Sequence, residues 1–288
     1  MDKKRVRYPH NLVAGWLEHV NNILLISDLD GTLLNASQQI SSENELAIKR
    51  FIEKGGLFTL ATGRMEEAVM PFIHKLGLDL PVILYNGAKI YCPVTDKVLY
   101  ERKLTFPQAL WDIIMRRLSD DLVLLVYQGG QVYAPLRNAL LEKHELKDAV
   151  KCLTFEDKLM LGPVTKLLII SERIEAAKEI EQAVRDSSLP CEMVYSESNY
   201  LEILPQHATK GTALRELVRL LKVDELYTVA VGDNLNDLTM IIEADLGYAV
   251  GNAHPLLTDA ADAVTVHHES HAIAAIIGEF KEKRRELA

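Results

Sequence analysis

Residues 23–32 read Ile-Leu-Leu-Ile-Ser-Asp-Leu-Asp-Gly-Thr. The apolar run Ile23–Ser27 has the length and composition of a short buried strand. It ends on two carboxylates, Asp28 and Asp30, followed at once by Gly31-Thr32. Carboxylates at i and i+2 of an extended chain share a face and repel each other, so the pattern calls for something to offset that repulsion. A cation is the first candidate.

Working outward, strand and helix signals alternate. SSENELAIKRFIEK (41–54) opens on a serine N-cap signal and closes on Gly55-Gly56. LFTLAT is a second strand, EEAVMPFIHKLG a second helix and PVILYNG a third strand. Strands and helices alternating at this spacing predict parallel βαβ units. From about residue 88 the pattern changes: KIYCPVTDKVLYERKL reads as an antiparallel hairpin, and helices near 106–118, 137–148 and 173–186 are interleaved with further strands. After Pro205 the α/β alternation returns with TKGTALRELVRLL, LYTVAVGD and NDLTMIIEA. The expectation is an α/β protein with a Rossmann-like, doubly wound parallel core. Residues 23–87 and 206–288 form that core, 88–205 form an inserted α+β domain, and 1–22 form a leader. Leu12, Val13, Trp16, Leu17 and Val20 fall at helical spacing, which predicts a short helix over 8–20 lying on the main fold.

In parallel α/β sheets, ligands sit beyond the carboxyl ends of the strands. Four such ends carry polar residues here: Asp28 and Asp30; Thr62-Gly63-Arg64; Asn86-Gly87; and Asp233, Asn236 and Asp237 in AVGDNLND. Two carboxylates from the first strand and one from the last could hold a hard divalent cation, for which Mg²⁺ is the expected ion, binding through carboxylates, waters and a phosphate oxygen. Thr62 and the Gly63 amide offer neutral donors to a phosphate at a helix N-terminus. Lys210, opening the helix that follows the insertion, offers a compact positive charge to a phosphate or a carboxylate nucleophile.

Taken together, DLDGTLL (28–34), ATGR (61–64), NGA (86–88), Lys210-Gly211 after an insertion, and GDNLND (232–237) resemble the motif series of the haloacid dehalogenase superfamily. The ATGR form, the placement of the insertion and GNAHP (251–255) resemble its Cof-like phosphatases. This resemblance implies Mg²⁺-dependent hydrolysis of small phosphomonoesters through an aspartyl-phosphate. Asp28 would be the nucleophile and Asp30 the general acid and base. The Asp28 side chain, the Asp30 backbone carbonyl and Asp233 would hold the metal. The Leu29 amide, Thr62, Gly63, Lys210 and Asn236 would hold the phosphate. Asp237 would orient Lys210 or a metal-bound water, and Arg64 and Asn86 would touch the substrate or hold the position of the insertion, which resembles the group's closing cap. A phosphomutase of related architecture, or a metal-dependent binding protein without turnover, are the alternatives.

A net charge of −9 argues against nucleic acid as the main partner, while leaving a small phosphorylated metabolite open. Cys92, Cys152 and Cys191 are an odd number at unrelated spacings, which fits a reducing cytoplasm and neither a disulfide framework nor a zinc site. No run reaches the 18 or more apolar residues that span a membrane. His267, His268 and His271 are read as solvated loop histidines. Tyr91, Tyr127, Tyr133 and His144 are candidates for the substrate pocket. Neither the substrate nor the oligomeric state is legible at this level.

Overall fold

Strand Ile23–Ser27 lies inside a five-stranded parallel sheet in the computed structural model, which describes residues 22–148, 150–154 and 162–286. The strand order is Ala263–Val264, Leu246–Ala249, Tyr227–Gly232, Ile23–Ser27, Leu57–Leu60, every pair parallel. Chain order runs outward in opposite directions from the pair Ile23–Ser27 and Tyr227–Gly232, so the topological switch point falls between these two strands. Beyond Leu60 a parallel bridge joins Ala61 to Ile83, and the Thr62 N–H donates to the Ile83 carbonyl at 2.9 Å.

The unbroken apolar run at 23–26 is explained by burial on both faces. Ile23 and Leu25 enter one cluster with Ile48, Phe51, Ile276 and Phe280. Leu24 and Ile26 enter another with Ala213, Leu214, Leu217 and Met240. Helices Ser42–Glu53 and Ala272–Glu286 therefore cover one face, and Lys210–Leu221 and Leu238–Glu243 the other. Ser41 caps the first of these, its hydroxyl accepting from the Asn44 N–H at 3.3 Å. The doubly wound α/β reading holds.

The second sheet has six strands in the order Cys191–Glu197, Tyr200–Pro205, Lys166–Ser171, Leu122–Gln128, Gln131–Ala134, Leu153–Thr154. It is antiparallel except for its last pair. Leu122, Leu124 and Val126 face helices Gln108–Met115 and Ile174–Asp186. Val123, Leu125 and Tyr127 point the other way and join the cluster shared with the parallel sheet. The hairpin Lys89–Cys92/Lys97–Glu101 belongs to neither sheet. It pairs antiparallel with Val82–Leu84, the strand that extends the parallel sheet. The helix expected over 8–20 lies outside the described residues. Among the described residues, no helix is long and apolar enough to cross a membrane.

Candidate active site

The parallel ladder ends at Asp28, whose N–H donates to the Val231 carbonyl at 2.9 Å. The chain then leaves the strand through a wide turn closed by the Leu34 N–H bonding back to the Leu29 carbonyl at 2.9 Å. Gly31 makes that turn possible. Its φ is +74°, and a Cβ there would lie 2.5 Å from Asp233 Oδ2. The glycine after the second aspartate thus lets the first strand end approach Asp233, at the end of the neighbouring strand. Thr32 adds a hydroxyl donor to Asp233 Oδ1 at 3.2 Å.

Lys210 reaches the same point from beneath. It is the first residue of its helix, after Thr209, whose hydroxyl accepts from the Thr212 N–H at 3.1 Å. Gly87 has φ +102°, and a Cβ there would meet the Thr209 carbonyl oxygen at 2.2 Å. Only a glycine lets the Asn86-Gly87 turn lie under this helix start. The Lys210 side chain is fully buried, and its Nζ donates to Asp28 Oδ1 and to Asp237 Oδ1, both at 2.5 Å. The other oxygen of Asp237 accepts from the backbone N–H groups of Asp233 (2.9 Å) and Asn234 (3.2 Å). Asp237 is thereby committed on both sides, to the lysine and to the turn that presents Asp233.

Three carboxylates, those of Asp28, Asp233 and Asp237, offer oxygens that all lie within 4.8 Å of one another. One ammonium among three carboxylates leaves a formal surplus of two negative charges. The electrostatics follow. Burial drives the Asp28 carboxyl well above its ordinary range; Lys210 opposes this and the neighbouring aspartates reinforce it. Asp233 is pushed up to about 7, first by burial and then by Asp237. For Lys210, burial works against the charge, but Asp237 and Asp28 outweigh it and hold the ammonium charged. A divalent cation would relieve the surplus, and the donors are the hard oxygens that such an ion takes.

A cavity of about 520 Å³ opens above this cluster. From the parallel sheet it is lined by Asp28, Asp30, Thr62, Gly63, Arg64, Asp233 and Asn236. Asp30 faces Arg64, whose Nε and Nη2 donate to its two oxygens at 2.8 and 2.6 Å. Thr62 is buried, and its hydroxyl accepts from the Arg64 N–H at 3.2 Å. Among the described residues, Asn236 Oδ1 is buried without a partner while its Nδ2 donates to Asn86 at 3.1 Å. Leu29 lies between the two aspartates with its side chain in the core.

Asn86 takes a different position from Arg64. It does not line the cavity, and both ends of its amide are engaged, with Glu202 and with Asn236. Of the aromatic candidates, Tyr127 lines the cavity; Tyr91, Tyr133 and His144 do not. His144 stands behind Tyr127, with Nε2 3.4 Å from the phenol oxygen. Burial, with help from Lys166 and Lys147, pushes its imidazole down to about 3. It is therefore neutral, and its 3.5 Å approach to Asp148 is not an ion pair.

The six-stranded sheet, with Lys166, Tyr200 and Glu202, and the end of the helix Ala139–Asp148, with Lys147 and Asp148, supply the roof of the cavity. None of these is marked out by a motif. Lys166 and Glu202 do carry a signal: each is a charge inside an otherwise apolar strand, in VTKLLIIS and YLEILP. The histidines at 267–271 lie apart from the acidic cluster and are not simply solvated. His268 Nδ1 lies 2.7 Å from the Leu34 carbonyl, and His271 Nδ1 lies 3.0 Å from the Ser41 hydroxyl, tying this segment to the chain after the first strand.

Comparison with known proteins agrees with this layout. Phosphatase YwpJ of Bacillus subtilis is 29% identical over 87% of this chain and 97% of its own length. A second B. subtilis protein, 5-amino-6-(5-phospho-D-ribitylamino)uracil phosphatase YcsE, is 28% identical over 90% of this chain and 96% of its own. The crystal structure of a haloacid dehalogenase-like hydrolase from Bacteroides thetaiotaomicron superposes with a TM-score of 0.75 at 27% identity, covering 89% of this chain and 98% of that one. Residues 25–277 match the haloacid dehalogenase-like hydrolase family across both sheets, and the chain belongs to that family of enzymes.

Proposed function

We propose that the protein is a Mg²⁺-dependent phosphatase of small phosphomonoesters that works through a phosphorylated Asp28. The observation that carries this reading is the buried Asp28–Lys210–Asp237 chain, with Asp233 beside it, at the carboxyl ends of the two strands that flank the switch point. The phosphatase names of the related proteins point the same way.

Asp28 Oδ1 is held by Lys210, which fixes the carboxylate and its orientation towards the cavity. An Asp28 oxygen attacks the phosphorus, the ester P–O bond breaks, and Asp30 gives its proton to the departing alcohol. Arg64 grips both oxygens of the Asp30 carboxylate, so this pair parts and Asp30 takes up a proton from solvent before the transfer. Water then attacks the phosphorus, Asp30 takes up its proton, and the Asp28–phosphate bond breaks to release inorganic phosphate. Thr62, Gly63, the Leu29 amide, Lys210 and Asn236 hold the phosphoryl oxygens; the unpartnered Asn236 Oδ1 is matched to a donor from the substrate or its water. Asp28, Asp233 and the Asp30 carbonyl would hold the Mg²⁺, which when bound supplies neutralisation of charge developing on the phosphoryl oxygens. The six-stranded sheet acts as a cap that excludes bulk water during transfer.

The test is inorganic phosphate release from a panel of sugar, polyol and nucleoside monophosphates with Mg²⁺, with and without chelator. Turnover that needs the cation and is abolished in Asp28→Asn is the expected result. Isomerisation without net phosphate release, or full activity in Asp28→Asn, would overturn the reading.

A further inference from the structure

Two opposite charges sit inside the sheet of the cap where a stable core would be apolar. Lys166 is 4% exposed and Glu202 3%, on adjacent antiparallel strands, with Nζ and Oε2 3.1 Å apart. Burying an ion pair strips both partners of water, and replacement by well-packed apolar residues is often neutral or stabilising. Stability therefore gives little reason for the pair. Its hydrogen bonds give a better one, because both partners reach out of the cap to the end of the parallel sheet.

Lys166 Nζ donates to the Gly63 carbonyl at 2.9 Å and lies over the Tyr127 ring, 4.6 Å from its centroid. The peptide so held is the one whose N–H, on Arg64, donates to the Thr62 hydroxyl. Glu202 Oε2 accepts from Asn86 Nδ2 at 2.9 Å, and Asn86 Oδ1 accepts from Asn236 Nδ2 at 3.1 Å. Asn86 has a φ of +52°, a conformation asparagine tolerates better than most residues, and its own N–H donates to the Thr62 carbonyl at 3.0 Å. A continuous polar chain thus runs from Thr62-Gly63, through the two cap charges, to Asn86 and Asn236.

Resting on the phosphatase reading, we infer that Lys166 and Glu202 are positioning residues: the cap's ion pair sets Gly63 and, through Asn86, Asn236, so the phosphate-holding donors are in register only with the cap seated. The cap then does more than exclude water. It couples closure to completion of the phosphate site, so a phosphate binds weakly whenever the cap is displaced.

The variant Lys166→Met/Glu202→Leu removes both charges together and leaves no buried charge unpaired. Its expected behaviour is a denaturation midpoint and Mg²⁺ affinity close to wild type, with the inhibition constant of inorganic phosphate and the KM both raised about tenfold, the loss of one charge-assisted link in the chain. Lys166→Met/Glu202→Gln likewise leaves no buried charge unpaired but keeps an acceptor for Asn86. It recovers part of the phosphate affinity, which a merely structural role would not require, and it serves if the first variant does not fold. Wild-type KM and phosphate inhibition in these variants would overturn the inference. So would a loss of phosphate affinity matched by an equal loss of Mg²⁺ affinity, because that reports general damage. If the wild-type protein releases no phosphate from any monoester, the phosphatase reading fails. Direct titration of inorganic phosphate into wild type and variants then still decides the positioning claim.

Discussion

Cation affinity should rise steeply with pH, and the structure sets the window. Burial and Asp237 push Asp233 up to about 7, and Asp28 is also raised by burial. Both must be ionised to serve a cation, so binding competes with protons. For Asp233 alone, the ionised fraction is about 1/11 at pH 6 and about 10/11 at pH 8, so the apparent Mg²⁺ affinity should be about tenfold tighter at pH 8. Asp28 adds to that in the same direction. The sign for the cation-free protein is opposite. The folded pKa of Asp233 lies above its unfolded value of about 4, so the folded state binds the extra proton between the two. Cation-free stability therefore falls as pH rises from about 4 to about 7. Mg²⁺ should restore it most above pH 7. Isothermal titration at pH 6, 7 and 8, each in two buffers of different ionisation enthalpy, reads both affinity and proton release. About one proton released per cation at pH 6, falling towards zero at pH 8, is the expectation for Asp233. Affinity that is flat or falls between pH 6 and 8 would refute the electrostatic account of the cluster.

Lys210→Met leaves Asp28 and Asp237 buried without their shared cation, and should cost roughly 3–5 kcal/mol in urea denaturation. The cost should be smaller at pH 5 than at pH 8, where the carboxylates cannot escape by protonation. Gly87→Ala meets the Thr209 carbonyl at 2.2 Å in a left-handed conformation. It should cost about 1–3 kcal/mol and, by displacing the start of the Lys210 helix, lower phosphate release at least about tenfold at saturating Mg²⁺. Ile26→Ala, at a fully buried position between the sheet and the Lys210 helix, should lose about 2–5 kcal/mol in the same denaturation assay without changing KM in the protein that remains folded.

Much of this molecule is legible in its sequence. The run ILLIS reads as buried because its first four positions are all apolar, and the structure shows why: those residues alternate between two different clusters. The strand ends carrying Asp28, Thr62, Asn86 and Asp233 are legible from the carboxylates, threonine and glycines that close each apolar run. What escaped was long-range geometry. Nothing local tells that Gly31 lies against Asp233 or Gly87 against Thr209, pairs far apart in the chain. The hairpin at 89–101 reads as the beginning of the insertion because its pattern turns antiparallel there, yet it pairs onto the strand that continues the parallel sheet. The roof of the cavity was the least legible part. Lys147, Asp148 and Tyr200 look like ordinary surface residues in the sequence, and only the folding of the second sheet and the helix Ala139–Asp148 over the first sheet brings them to the cavity, Lys147 at its exposed rim.

The central claim is that Asp28 itself carries the phosphoryl group. Rapid acid quench during steady-state turnover, followed by borohydride reduction and peptide mass analysis, tests it directly. An acyl phosphate on Asp28 would be reduced to homoserine, so the account predicts homoserine at position 28, dependent on substrate and absent from Asp28→Asn. Reduction at Asp30 instead, or rapid turnover with position 28 remaining aspartate throughout, would contradict it.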